Sequence, residues 1–492
     1  MRRTKQHPFG PVLAVAVLFL ALCASPRVSG ATPLFANGAD VGWMTQLEGM
    51  GYTWFDETDT QLSALQILKN HGVNTIRIRT FVNPTITPGI LGVGDTNQSG
   101  SIALAQLANS MGFQLMIDFQ YSDTWADPGD QAIPSAWSGE SYAQLESSVY
   151  SYTYNFMQAL ASDGIYPQWV QVGNEIDNGM LFPTGSTSNF SQLTGLINSG
   201  YNAVKAVSSS TQVVIHLSTI SDLSHFETFF DSLLGDGGKF DAIGGSYYDG
   251  PDNISTVASN VNALAARYGK PVIICEIGHA ESDWTGSNAD VKGAIQALKA
   301  VPNGMGLGVI YWEPEAPDDA DTNNYGMGAT QILTGDELQF TSAIDPFLFN
   351  IASSNQIIDP GFTTGLNGWQ ISPTTGGYSS TYTQASGSGY ELSFWSNSFY
   401  NTTVWQTDTE LPSGTYTLTA WVENGGGEKS ATMFAYPAGG REISVKLPVA
   451  STWTEVQIPG IVVNDGNVYL GFSVNAHAGN WVNVNWVQLT EN

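Results

Sequence analysis

The sequence predicts an α/β chain in which a (β/α)8 TIM barrel is followed by an all-β jelly-roll sandwich. Three observations predict it. Eight short apolar runs alternate with stretches of helical spacing, the pattern of a parallel barrel. Beyond Asn350 the helical spacing stops, and Gly, Ser, Thr and period-two alternation take over. The chain has 492 residues, more than one hydrophobic core supports, so at least two domains are expected. The boundaries read as a leader over 1–30, a catalytic barrel over 31–350 and a sandwich over 351–492.

The N-terminus carries Arg2, Arg3 and Lys5, then an apolar run from Val12 to Cys23, then small residues from Ser29 to Ala31. That order is a signal peptide, with cleavage near Gly30 or Ala31. Its apolar run is too short to span a bilayer, so an exported protein, periplasmic or extracellular, is expected. Leu22, not a small residue, precedes Cys23, which argues against a lipid anchor. Loss of the leader leaves only Cys275, so no intramolecular disulfide is expected. Cys275 reads as a small core residue.

The candidate barrel strands are GADVGW (38–43), TIRIRT (75–80), QLMIDFQ (114–120), QWVQVGNE (168–175), VVIHLS (213–218), AIGGSYY (242–248), PVIICEIG (271–278) and GVIYWEP (308–314). Leu62, Leu65, Ile67 and Leu68, and Val261, Leu264 and Ala265, show the helical spacing between them. The alternative, a doubly wound open sheet, usually opens with a glycine-rich phosphate turn. None follows the first strand. In the C-terminal part YTLTAWVEN (416–424), WTEVQIPGIVV (453–463), VYLGFSV (468–474) and WVNVNWVQL (481–489) alternate with period two, as sandwich strands do. Seven tryptophans lie there: Trp369, Trp395, Trp405, Trp421, Trp453, Trp481 and Trp486. Each is more readily core than surface; those left outside would form a sugar-stacking platform.

Two of the barrel runs end in a carboxylate, Glu175 behind Gly173 and Asn174, and Glu276 behind Cys275. Chemistry in such barrels sits at the carboxyl ends of the strands. A single strand-end Glu is usually solvated or salt-bridged. Two in matching positions are what glycoside hydrolysis needs, one to protonate the leaving oxygen and one to attack or stabilise the oxocarbenium-like centre. Asn174 is placed to bond a sugar 2-hydroxyl. The net charge of −28 argues against nucleic acid and an anionic membrane surface as partners. A neutral polysaccharide fits better, and a monomer is expected.

GADVGW, GYTWFD, NTIRIRTFVNP, LMIDFQYSDTWADPGDQ, WVQVGNEIDNGML, GSYY, EIG and YWEP, in this order, resemble the arabinogalactan endo-β-1,4-galactanases of glycoside hydrolase family 53. The resemblance runs from about Asn37 through the eighth strand. It implies a retaining double displacement on β-1,4-galactan, the side chain of pectins, with Glu175 as acid/base and Glu276 as nucleophile. It further implies Arg77 or Arg79 near the nucleophile, Asn174 on the 2-hydroxyl, and Tyr247 or Tyr248 bonded to Glu276. Trp312 would be the floor of the cleavage subsite, and Asp123, Trp125 and Asp127 would shape neighbouring subsites. Gln120 stands where the family has His, and Phe81 where it has Trp. The C-terminal part resembles jelly-roll carbohydrate-binding modules, including galactan-binding ones. Asn485 and Trp486 stand there where related modules have two acidic residues.

Burial and the neighbouring anion should raise the acid/base, whereas Arg and Tyr donors should keep the nucleophile ionised. Retention needs the two carboxyls about 5 to 5.5 Å apart. The chemistry requires no cofactor and no metal. The run DDADTNN, with Asp318, Asp319, Asp321 and Asn323, is either a solvated acidic loop or a structural calcium site. His216, His225 and His279 show no metal spacing. The other functions compatible with these residues are a retaining hydrolase of another neutral β-glycan, mannan or xylan, and a non-catalytic polysaccharide-binding protein. The presence of both glutamates disfavours the last.

Overall fold

The computed structural model describes residues 34–84, 95–250, 253–322, 324–348 and 357–491, the last without 358–360, 363–365, 367, 374–380, 386–388, 409–410, 412 and 465. The leader expected over 1–30 lies outside the described residues. Eight parallel strands close a barrel in sequential order. They are β1 (Ala36–Asp40), β2 (Thr75–Thr80), β3 (Gln114–Phe119), β4 (Trp169–Val172), β5 (Gln212–Leu217), β6 (Ala242–Tyr247), β7 (Val272–Ile277) and β8 (Gly306–Trp312). Each of the eight candidate runs contains one of them to within two residues.

Helices Gln98–Ser110, Tyr142–Ser162, Phe190–Val207, Leu223–Gly235, Ile254–Tyr268 and Trp284–Lys299 alternate with the strands. Their starts follow the sequence. Asn97, Asp222 and Asp283 accept from backbone N–H groups of the first turn, and Ser141 with Gln144 forms a capping box.

The barrel interior changes character along each strand. Ala36, Met116, Trp169, Val214, Ala242, Ile273, Cys275 and Ile310 form a closed apolar cluster. Because a strand returns to the same face every second residue, the next inward positions are fixed by counting. They are Asp118 after Met116, Gln171 after Trp169, His216 after Val214 and Trp312 after Ile310. The apolar layer is the floor, and the polar layer above it is the site. Strand β7 breaks the count: the pairing register shifts by one residue between Ile274 and Ile277. Cys275 follows Ile273 into the apolar floor by the ordinary count, and the bulge then brings Glu276, one residue on, into register with Ser246 of β6. Cys275 is fully buried and free.

The C-terminal part holds two five-stranded sheets. One has the order β9 (Gln370–Pro373), β12 (Tyr400–Asp408), β17 (Val468–Ala476), β14 (Ser430–Pro437), β15 (Ile443–Lys446). The other has the order β10 (Thr381–Ala385), β11 (Gly389–Trp395), β18 (Trp481–Glu491), β13 (Gly414–Asn424), β16 (Ala450–Val463). Their alternating buried residues make a separate core around Leu418, Val422, Val474, Val484 and Leu489. Trp369 belongs to that core, whereas Trp486 is part of the barrel's cluster, with Trp421 packed against it. The Lys292 ammonium lies 4.6 Å from the Trp486 ring centre. No helix among the described residues is long and apolar enough to cross a membrane.

Candidate active site

The site is built on one fully buried cation. Arg77 of β2 reaches Asp40 at 2.7 Å, Asp118 at 3.1 Å and Glu276 Oε1 at 3.0 Å. It also donates to Gln171 Oε1 at 3.1 Å and Asn174 Oδ1 at 2.8 Å. A buried guanidinium needs several acceptors to offset its desolvation, and five side chains from four strands and the loop after β4 supply them. Of the two arginines the family likeness left open, Arg77 is therefore the one at Glu276. Arg79 pairs with Asp40 and Glu313 instead, and lies beneath the rings of Trp43, Trp125 and Trp312, nearest Trp125 at 4.6 Å. Gly42 makes that approach possible, since a Cβ there would fall 2.1 Å from the Arg79 guanidinium.

Glu276 accepts from the Tyr248 hydroxyl at Oε2, 3.0 Å away. Tyr247, the other candidate, is buried on the opposite side of the strand and donates to the Gly250 carbonyl. Strand alternation allows only one of two consecutive tyrosines to face the site. Burial pushes the Glu276 carboxyl up to about 8, with Arg77 pulling it down and the Glu175 charge adding to the rise. The Arg and Tyr donors expected to keep it ionised are both present, but the near-complete enclosure of Glu276 outweighs them and raises the carboxyl.

Glu175 lies in the turn just past β4, two residues after Gly173, whose φ is +82°, and itself has φ +43°. A non-glycine residue in the left-handed region stores strain, which is common where a side chain must be aimed. Its Oε1 lies 2.7 Å from Ser246 Oγ. Burial raises its carboxyl above the ordinary range. Asn174 is locked: Oδ1 accepts from Arg77 and Gln171, and Nδ2 donates to the Ala126 carbonyl at 2.9 Å.

The loop after β3 serves mainly to hold itself in place. Asp123 accepts from the Asn83 and Ser135 N–H groups, and Asp127 accepts from those of Gly129 and Asp130. Trp125 and Trp312 stand edge to face at 5.9 Å, each also against Trp43, so an aromatic cluster gathers around the Arg79 guanidinium. Gln120 donates to Asp118 and accepts from Ala126 N–H, tying this loop to the polar layer. Phe81 is fully buried against Trp125.

Several residues of the site were not legible as such in the sequence: Asp40, Asp118, Gln171, His216, Ser246 and Glu313. The available signal was a polar residue inside an otherwise apolar strand, as in VVIHLS and AIGGSYY. His225 and His279 form pairs elsewhere, with Asp177 at 3.0 Å and Asp290 at 2.8 Å.

Among the described residues, one group has metal-ligand character. Glu57, His71 and Asp345 bring ligand atoms within 4.8 Å of one another. It lies near the start of β2, away from the carboxyl pair, and His71 faces Asp345 at 3.3 Å. In the acidic run, Asp319 and Asp321 accept from the Tyr52 hydroxyl at 2.6 and 3.0 Å; Asn323 lies outside the described residues.

Residues 36–347 match glycosyl hydrolase family 53. A probable arabinogalactan endo-beta-1,4-galactanase A of Aspergillus terreus is 32% identical over 320 residues, covering 60% of this chain and 88% of that protein. The arabinogalactan endo-beta-1,4-galactanase A of Emericella nidulans is 33% identical over 323 residues, covering 60% and 87%. The GH53 catalytic domain of Ignisphaera aggregans shares the fold with a TM-score of 0.59 at 28% identity, over 66% of this chain and 98% of that one. The chain belongs to glycosyl hydrolase family 53.

Proposed function

We propose that this protein is an exported endo-β-1,4-galactanase that cleaves the galactan of pectin side chains with retention of anomeric configuration. The observation that carries the reading is the contrast between the partners of two carboxyls, one in the turn after β4 and one near the end of β7. Glu276 is bracketed by a guanidinium and a phenol, one on each oxygen, the setting of an anionic nucleophile. Burial raises both carboxyls, but Glu175 touches no cation, the setting of a general acid. The galactanase names of the relatives supply the substrate.

In the first step the Glu175 proton passes to the glycosidic oxygen, the C1–O bond breaks, and a Glu276 oxygen bonds to C1 as the leaving sugar departs. In the second, water attacks C1, Glu175 takes its proton, and the ester to Glu276 breaks. Arg77 and Tyr248 bind the Glu276 charge before and after the ester exists, and Trp312 with Trp125 offers ring faces to the sugar.

The sandwich serves as a carbohydrate-binding module. Trp395 is 50% exposed and sits directly across from Trp481 on the neighbouring strand, which places two rings on one face.

The test is a product profile for the purified protein without its leader on galactan, mannan and xylan, with proton NMR of the first-formed anomer. Galacto-oligosaccharides released as the β-anomer are expected. Cleavage of mannan or xylan with galactan untouched, or undiminished hydrolysis by Glu276→Gln, overturns the reading.

A further inference from the structure

A line of polar groups runs from Asn174 through His216 and Ser246 to Glu175, and counting its protons fixes where each one sits. His216 Nδ1 lies 3.0 Å from Asn174 Oδ1, and His216 Nε2 lies 2.9 Å from Ser246 Oγ. Ser246 Oγ lies 2.7 Å from Glu175 Oε1. The count starts at Asn174, whose amide cannot turn over. Its oxygen already accepts from Arg77 and Gln171, and its NH2 group donates to a carbonyl. An oxygen facing Nδ1 demands a proton on Nδ1. His216 is fully enclosed, and burial together with Arg77 disfavours a second proton on it. Nε2 is then a bare lone pair, and the Ser246 hydroxyl is the donor that faces it. A hydroxyl has one proton to give. With that proton committed to His216, the short contact to Glu175 is a hydrogen bond only if the carboxyl supplies the proton.

We propose that His216 and Ser246 are positioning residues that hold the shared proton of the carboxyl pair on Glu175, by leaving Ser246 able to accept from Glu175 but not to donate to it. This rests on the acid/base reading of Glu175 given above. A serine that donated to Glu175 would favour its ionised form; one whose proton is already spent favours the neutral acid. Glu276, in contrast, has two donors for its anion. When a substrate binds, the acid O–H turns from Ser246 to the glycosidic oxygen. Once the proton has gone, the carboxylate faces a lone pair on Ser246. Turning Ser246 back would require a proton on Nε2 and would set a bare Nδ1 against the Asn174 oxygen. The carboxylate therefore stays basic, as the second step needs to activate water.

The test is the alkaline limb of kcat/KM against pH on a galacto-oligosaccharide, which reports ionisation of the acid in the free enzyme. The charged and titratable groups around Glu175 are Arg77, Asp127, Asp177, Glu276 and Tyr248; Ser246→Ala leaves all of them in place. Loss of one acceptor should lower the limb by about one pH unit. Ser246→Thr, which keeps the hydroxyl, should restore it. His216→Phe frees the Ser246 proton for Glu175, so the limb should fall further than in Ser246→Ala. A limb that stays put or rises in a folded Ser246→Ala enzyme overturns the proposal, and this outcome stands whether or not His216→Phe folds. Glu175→Gln separates the two levels. If it still cleaves galacto-oligosaccharides, the acid/base reading itself fails. If it is inactive on them while Ser246→Ala keeps the original limb, only the proton-holding role fails.

Discussion

At the residue scale, the site's behaviour follows from which oxygen of which carboxyl has a donor. Glu276 must be ionised to attack, so activity is present above its folded-state pKa and is lost as the pH falls through it. Burial raises that value, and the acid limb of kcat/KM should therefore lie above the ordinary carboxylate range. Arg77 works in the opposite direction, so Arg77→Lys, which gives up the forked contacts, should move the acid limb to still higher pH; a limb moving down contradicts the charge assignment. Tyr248→Phe removes one charge-assisted hydrogen bond and should reduce kcat/KM on the order of ten-fold or more, with circular dichroism unchanged. Both glutamates were visible in the sequence because each closes an apolar strand. His216 and Ser246 were not. One polar residue in a buried run can be a satisfied core group or a partner of a catalytic one, and only the register between β4, β5 and β6 brings them to Asn174 and Glu175.

At the element scale, the turn after β4 and the bulge in β7 do the aiming. Gly173 has φ +82°, and a Cβ there would fall 2.6 Å from Ile176 Cγ2. Gly173→Ala should cost about 1 to 2 kcal/mol of stability. It should also depress kcat, since Asn174 and Glu175 follow directly. Wild-type stability in a chemical unfolding curve would refute this. The barrel strands were legible because buried parallel strands are continuous apolar runs. The bulge was not, because ICEI reads as ordinary alternation until its neighbours fix the pairing. The sandwich was half legible. β13, β16, β17 and β18 alternate cleanly, whereas β12, YNTTVWQTD, buries Thr402, Gln406 and Asp408 on its inward face and so looks like a loop.

At the scale of the whole molecule, Trp486 joins two architectures. The sequence placed it among the sandwich aromatics, yet it is buried in the barrel's cluster with Lys292 over its ring. Trp486→Ala should remove about 3 kcal/mol of contact. It should also turn one thermal transition into two in calorimetry; a single unchanged transition would show that the contact contributes little. Trp395 offers the complementary experiment. Trp395 is exposed and not part of the barrel's cluster, so Trp395→Ala should weaken retention on insoluble galactan while leaving turnover of a short soluble substrate as it was.

The buried indole of Trp486 also sets a distance. If the sandwich grips polymer as proposed, docking onto the barrel rather than trailing on a tether would hold its segment of chain at one stand-off from the scissile bond. Fragments cut from an anchored strand should then cluster around a preferred size, and in Trp486→Ala that size distribution should broaden.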